Sequence, residues 1–299
     1  MELSWIDKLR IAAVAALGMI VIGILAWPLA APEDPMLPVR AWSISPLGTM
    51  VLLALAFAVG FASYFIAWPH GREIGILAVP FGLAVWAGRS GPMQALTQRH
   101  METHEREALL HSLRLEPVYW LLIVAAGFAG VLGAQYVRSV LAEPVDVIGK
   151  KWRLDPNACI HGLTALVVAV LVAHFFVGVF AQDLIGSDNI MATQPAAGQI
   201  LFAVIAAFAV SAFAVKKFLN LSYIWPAIAS VFAIGFAEAV YGRAEVVQRF
   251  AETRPATFFP HSVCAILPVQ LIALGAIGCV LGYWLAIRYE YWRKHGSAG

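Results

Sequence analysis

Charge is scarce in this sequence. Of 299 residues only 13% are Asp, Glu, Lys or Arg, against roughly a quarter in a soluble globular domain. A water-exposed surface cannot be built from so few charges, so lipid must be the solvent for much of the chain. The net charge of +2 leaves no basic surface of the kind nucleic acid requires. Cysteine is scarce too. Cys159, Cys264 and Cys279 are an odd number without metal-ligand spacing, the last two within one predicted helix. No disulfide framework is implied, and all three read as small apolar fillers. There is also no P-loop, no GxSxG nucleophile elbow, no HExxH pair and no aspartate-rich motif for prenyl diphosphates.

Long apolar runs are what the sequence has in abundance. It is 61% hydrophobic, with a mean hydropathy of +0.78. Runs of roughly 15 to 25 apolar residues, each bounded by charged or turn-rich punctuation, mark membrane spans. They fall at 11–30, 46–68, 74–88, 117–137, 160–180, 197–215, 221–241 and 262–287. The expected fold is therefore an all-α polytopic membrane protein of about eight transmembrane helices. The third run reaches only about 22 Å at 1.5 Å per residue, so it must draw on flanking residues or be shielded by protein.

Alternate inter-span segments hold twelve and eight of the Lys and Arg residues. The twelve, among them Lys8, Arg10, Arg72, Lys216, Lys217 and Arg288, sit close to helix ends, where the positive-inside rule has most force. Both termini are accordingly expected in the cytoplasm of a bacterial-type inner membrane. The 181–196 loop, with two Asp and no Lys or Arg, fits the outside. Leu29-Ala30-Ala31 is small enough for signal cleavage. However, the first apolar run is longer than an ordinary signal core, and Glu2 and Asp7 dilute its basic end, so it reads as a retained helix.

The spans group as four plus four, giving units at 1–145 and 146–299. Pro80 and Gly88-Arg89 of the third span are matched by Pro226 and Gly242-Arg243 of the seventh. Pro117-Val118 and Val131-Leu132-Gly133 are matched by Pro268-Val269 and Val280-Leu281-Gly282. An even number of spans per unit makes the two units parallel, related by an axis along the membrane normal. This grouping resembles haem A synthases and polysulfide-reductase-type quinol anchors in span count alone, and none of their motifs is present.

The segment 89–116 carries the densest polar pattern. Read as one extramembrane helix running to about Leu115 between spans three and four, it places His100, His104, Glu107 and His111 on a single stripe. His100, His104 and Glu107 form a candidate transition-metal site, because imidazoles at i and i+4 with a carboxylate one turn on can supply three ligands. Glu245, Glu252 and His261 of the equivalent segment could add to it. The competing readings are a solvated helix face and a proton-sensing surface. Inside the spans, His174 and Glu238 lie toward the same outer side, and a charge within the bilayer is a functional candidate by default. His111, His174, Glu238 and His261 together describe a polar outer vestibule. A two-haem cytochrome reading fails, since thirteen residues turn His161 and His174 onto nearly opposite faces of one helix. Trp and Tyr near the span ends read as an interfacial belt.

These features point first to a small secondary transporter or permease with its path between the halves and with Pro80 and Pro226 loosening equivalent helices. The alternative is a non-catalytic membrane subunit of a larger redox or energy-converting complex, binding a metal or quinone. A metal-dependent membrane enzyme is a third reading, and the balance leans away from catalysis. Expected partners are the lipid bilayer, other subunits of a membrane complex or further copies of the chain.

Overall fold

The first helices begin where the sequence supplies a cap ahead of an apolar run. Ser4 Oγ accepts the Asp7 amide at 3.1 Å, opening α1 (Trp5–Leu25), whose last turns wind as a π-helix over Met19–Leu25. Ser45 Oγ accepts the Gly48 amide at 3.0 Å with Pro46 at the first helical position, opening α2 (Pro46–Ile66). The computed structural model describes residues 4–100, 103–142, 156–182, 184–185, 192–241, 243, 245–246, 248–249, 259 and 261–295. The remaining helices are α3 (Gly71–Arg89), α4 (Met93–Arg99), α5 (Thr103–Leu113), α6 (Glu116–Ala142), α7 (Pro156–Phe180), α8 (Ala197–Leu219), α9 (Ile224–Tyr241) and α10 (Pro268–His295). Asn220 closes α8 in the left-handed region (φ 52°), returning its amide to Lys216 O. A two-residue ribbon, Leu184–Ile185 against Ala192–Thr193, is the one sheet among the described residues.

Among the described residues seven helical segments are long and apolar enough to cross a membrane, and α3 with α4, bent by 49°, makes an eighth where the pair counts as one span. The two ends of α3 lie against opposite ends of α1. His70 and Glu73 share a cavity with Ser4 and Asp7, while Arg89 lies over Trp27. Nineteen residues of α3 rise about 28 Å, enough to cross once the run is extended to Gly71 and Arg89. Its shielding is protein: Ala78, Val79, Leu83 and Trp86 are all buried. Arg288 and Tyr291 of α10 line the same cavity as Ser4, so both ends of the described chain lie on one face, called here the terminal face. An even number of crossings follows. Large apolar residues such as Phe57, Leu122, Phe175, Phe202 and Phe232 remain exposed, which is the lipid-facing surface such a bundle requires.

Pro226 is the third residue of α9, where a missing N–H leaves no bond broken, whereas Pro80 stands midway along α3, just after the tighter turn Gly75–Leu77. The expected continuous helix over 93–115 needs correction, because it is broken. His100 departs from helical geometry (φ −112°, ψ 74°), and its Nδ1 lies 2.9 Å from Leu96 O, where the ring satisfies a carbonyl that α4 leaves open at its end.

The most extensive helix pairs are α2 with α6 and α8 with α10, and both are made by small residues. A Cβ on Gly130 would stand 2.0 Å from Phe57 O, and one on Gly278 would stand 2.5 Å from Ile205 O. Each partner in the second pair lies 148 residues beyond its counterpart in the first, 57 to 205 and 130 to 278. The buried hydroxyls of Ser63 and Ser211 keep the same interval. Ser63 Oγ donates toward Gly60 O and Gly75 O at 2.8 and 2.9 Å. Ser211 Oγ donates toward Ala207 O and Ala169 O at 2.8 and 3.4 Å. Ile76, Leu77, Val131 and Ala134 of α3 and α6 meet Ile277 and Val280 of α10 in a separate apolar cluster, called here the seam.

Candidate functional site: two polar clusters and a cavity on the seam

His174 of α7 and His261 are brought together. Their rings are stacked, with centroids 4.0 Å apart and planes 7° from parallel. Tyr241, the last residue of α9, extends the stack at 5.1 Å from His261, and its hydroxyl lies 3.4 Å from His174 Nε2. His261 is positioned by the short helical turn that precedes α10, where its Nδ1 accepts the Val263 amide at 3.2 Å. In the neutral ring the proton therefore sits on Nε2. A Cβ on Gly178 would lie 3.0 Å from that nitrogen, so the glycine makes room for the ring. Burial, reinforced by the adjacent His174, pushes His261 down to about 4. Face-stacked rings suit neutral imidazoles but not a shared metal, because a ligated ion lies in the plane of each ring. Glu238 is one turn before Tyr241 on α9, and its side chain lies outside the described residues.

A second cluster sits at the start of α6. Glu116 is fully buried, with Oε1 accepting from Arg40 Nε at 3.0 Å. Arg40 also donates to Ser112 Oγ at 2.7 Å, and Trp42 Nε1 donates to Ser112 O at 3.2 Å. Thus the chain between α1 and α2 is tied to both α5 and α6. Trp120, one turn after Glu116, meets Trp86 of α3 edge-on at 6.1 Å. Trp86 in turn meets Trp27 at 6.2 Å. Glu116 Oε2 and the two indole nitrogens of Trp86 and Trp120 are buried without a hydrogen-bond partner.

The third feature is a cavity of about 740 Å³ at the terminal face, between α1 and the start of α3 on one side and α10 on the other. Its polar lining includes Asp7, His70, Glu73 and Arg288, and its apolar lining includes Ile11 and Leu281. Asp7 is held by Arg10 at 3.0 Å. On the opposite face the same two halves are joined by reciprocal bonds, Gln94 amide to Gln194 Oε1 at 2.9 Å and Gln194 amide to Gln94 Oε1 at 3.2 Å.

The residues of the histidine stripe fall on two helices. His100 belongs to the end of α4, His104, Glu107 and His111 to α5, and residues 101–102 lie outside the described residues, as do the side chains of His104 and Glu107. His111 and Glu245 are exposed, and Glu252 lies outside the described residues. Among the described residues no three His, Cys, Asp or Glu side chains stand close enough to hold a metal ion. The sequence reading missed Glu116, Arg40 and His70. Glu116 reads as the last residue of a polar segment, and only its place one turn before Trp120 on an apolar helix marks it. Comparison with protein families, with curated proteins and with solved structures finds no match to this chain.

Proposed function

We propose that the chain is a small secondary transporter of a bacterial-type inner membrane, built as two parallel four-helix units, 1–145 and 146–299, that rock against each other about the seam. The observation that carries this reading is the seam cavity. It lies between the two units at the terminal face, while paired glutamines join the same units on the other face. A site open to one face, between units tied together on the other, is what one half of alternating access would present. The 148-residue interval supports the duplication, since it relates helix contacts and buried serines rather than isolated letters. The Lys and Arg bias supports a cytoplasmic terminal face, on which reading the cavity opens inward. Asp7, His70, Glu73 and Arg288 are the groups that would select the cargo.

The test is cysteine labelling at Leu281, near the middle of α10 and in the cavity wall. With Leu281→Cys in oriented vesicles, an impermeant maleimide should react readily from the terminal side. It should react more slowly, but to completion, from the other. Reaction from the terminal side alone, with partner proteins retained on purification, would instead favour a fixed subunit of a larger complex.

A further inference from the structure

The Glu116 cluster carries chemistry that the seam cavity does not explain. A carboxylate at the head of a membrane helix is costly unless paired, and here only one of its oxygens is paired. Oε1 is held by Arg40, whereas Oε2 is buried without a partner among the described residues. Trp120 lies one turn after Glu116 on α6, and Trp86 packs against Trp120 from α3. Buried polar groups are nearly always satisfied. A carboxylate oxygen enclosed in this way is satisfied less fully as an anion than as the neutral acid.

We infer that Glu116, with Arg40 as counter-ion, is a proton-binding site, and that the proton is the coupling ion of the transporter proposed above. The coupling role rests on that reading; proton binding does not. A proton delivered from solvent adds to Oε2 and converts the carboxylate to the neutral acid, while Arg40 keeps its own proton. Arg40 is a quarter exposed and Glu116 almost wholly enclosed, so the proton enters past the guanidinium on the face opposite the termini. The neutral acid holds Arg40 only by a hydrogen bond, which weakens the tie between the α1–α2 connection and α5 and α6. Helix α3 links the two sites, because Ile74 lines the seam cavity and Trp86 covers the carboxylate's neighbour. The other titratable groups near this core are Tyr119, held by Thr49 of α2 at 3.1 Å, Arg89 of α3, held over Trp27, and Cys264, which packs at its edge. Among the described residues Arg40 alone makes an ion pair with the carboxylate.

Infrared difference spectra of the full-length protein in lipid, recorded across a pH titration, read this site without a transport assay. One carboxylic-acid carbonyl band should titrate in the wild type and be missing in Glu116→Gln. Arg40→Gln should retain the band and displace its midpoint by about one unit or more. Trp120→Phe, which alters the packing one turn from the carboxylate, should shift the band position, and Glu33→Gln, which removes an exposed carboxylate, should leave it unchanged. A titrating band unchanged in Glu116→Gln, or a Glu116 band indifferent to Arg40→Gln, overturns the proposal. Should the band behave as expected while Leu281→Cys labels from one side only, the proton site stands and the transporter reading fails.

Discussion

A single imidazole shows how this protein uses polar groups. His261 sits face to face with His174, and burial with that neighbour holds it down near 4 against an ordinary 6.5. The unfolded chain therefore binds more protons than the folded one between those values, and stability rises with pH across that window. The thermal midpoint in detergent is expected to be level above about pH 6.5 and to fall toward about pH 4. His261→Gln, which cannot take up the proton, should show a shallower fall over the same range. Equal slopes in the two proteins would contradict the assignment. His174 and His261 were both legible in the sequence as polar groups of one side, but their stacking was not. It depends on Gly178 leaving space for the ring and on the Val263 amide orienting it, and neither leaves a periodic signal. The continuous helix expected through His100 was illegible for a related reason. Helical spacing assumes an unbroken helix, and a histidine able to bond the Leu96 carbonyl ends the helix it was counted on.

Among the elements, the tightest packing is set by residues with little or no side chain. Without a hydrophobic drive between helices in lipid, close approach at glycine is what gains dispersion contacts. Gly130 meets the backbone of Phe57, and Gly278 meets that of Ile205. Gly130→Val and Gly278→Val must each separate a helix pair, at a cost of about 1–3 kcal/mol or more. Both are expected to lower the thermal midpoint. Gly88→Val is the control, because a Cβ there meets nothing within 4 Å. A Gly278→Val protein as stable as the Gly88→Val protein would show that the second pair is not the counterpart of the first. The spans themselves were readable because apolar length is a direct consequence of bilayer thickness. The short third run was readable only in part. Its ends lie in Gly71-Arg72-Glu73 and Gly88-Arg89, polar residues that hydropathy discards but that α3 includes.

At the scale of the whole molecule, the account depends on two units moving about a seam. Labels at Gln98 and Gly198, both exposed, flank the paired glutamines on the face opposite the termini. Labels at Lys8 and Lys294, also exposed, flank the cavity on the terminal face. In a background with the three native cysteines replaced by alanine, pulsed electron–electron resonance measures both distances in lipid. Rocking predicts two populations for each pair, with any condition that lengthens the 98–198 distance shortening the 8–294 distance. A single narrow distance for both pairs, unchanged by pH, would contradict it and describe a rigid membrane scaffold instead.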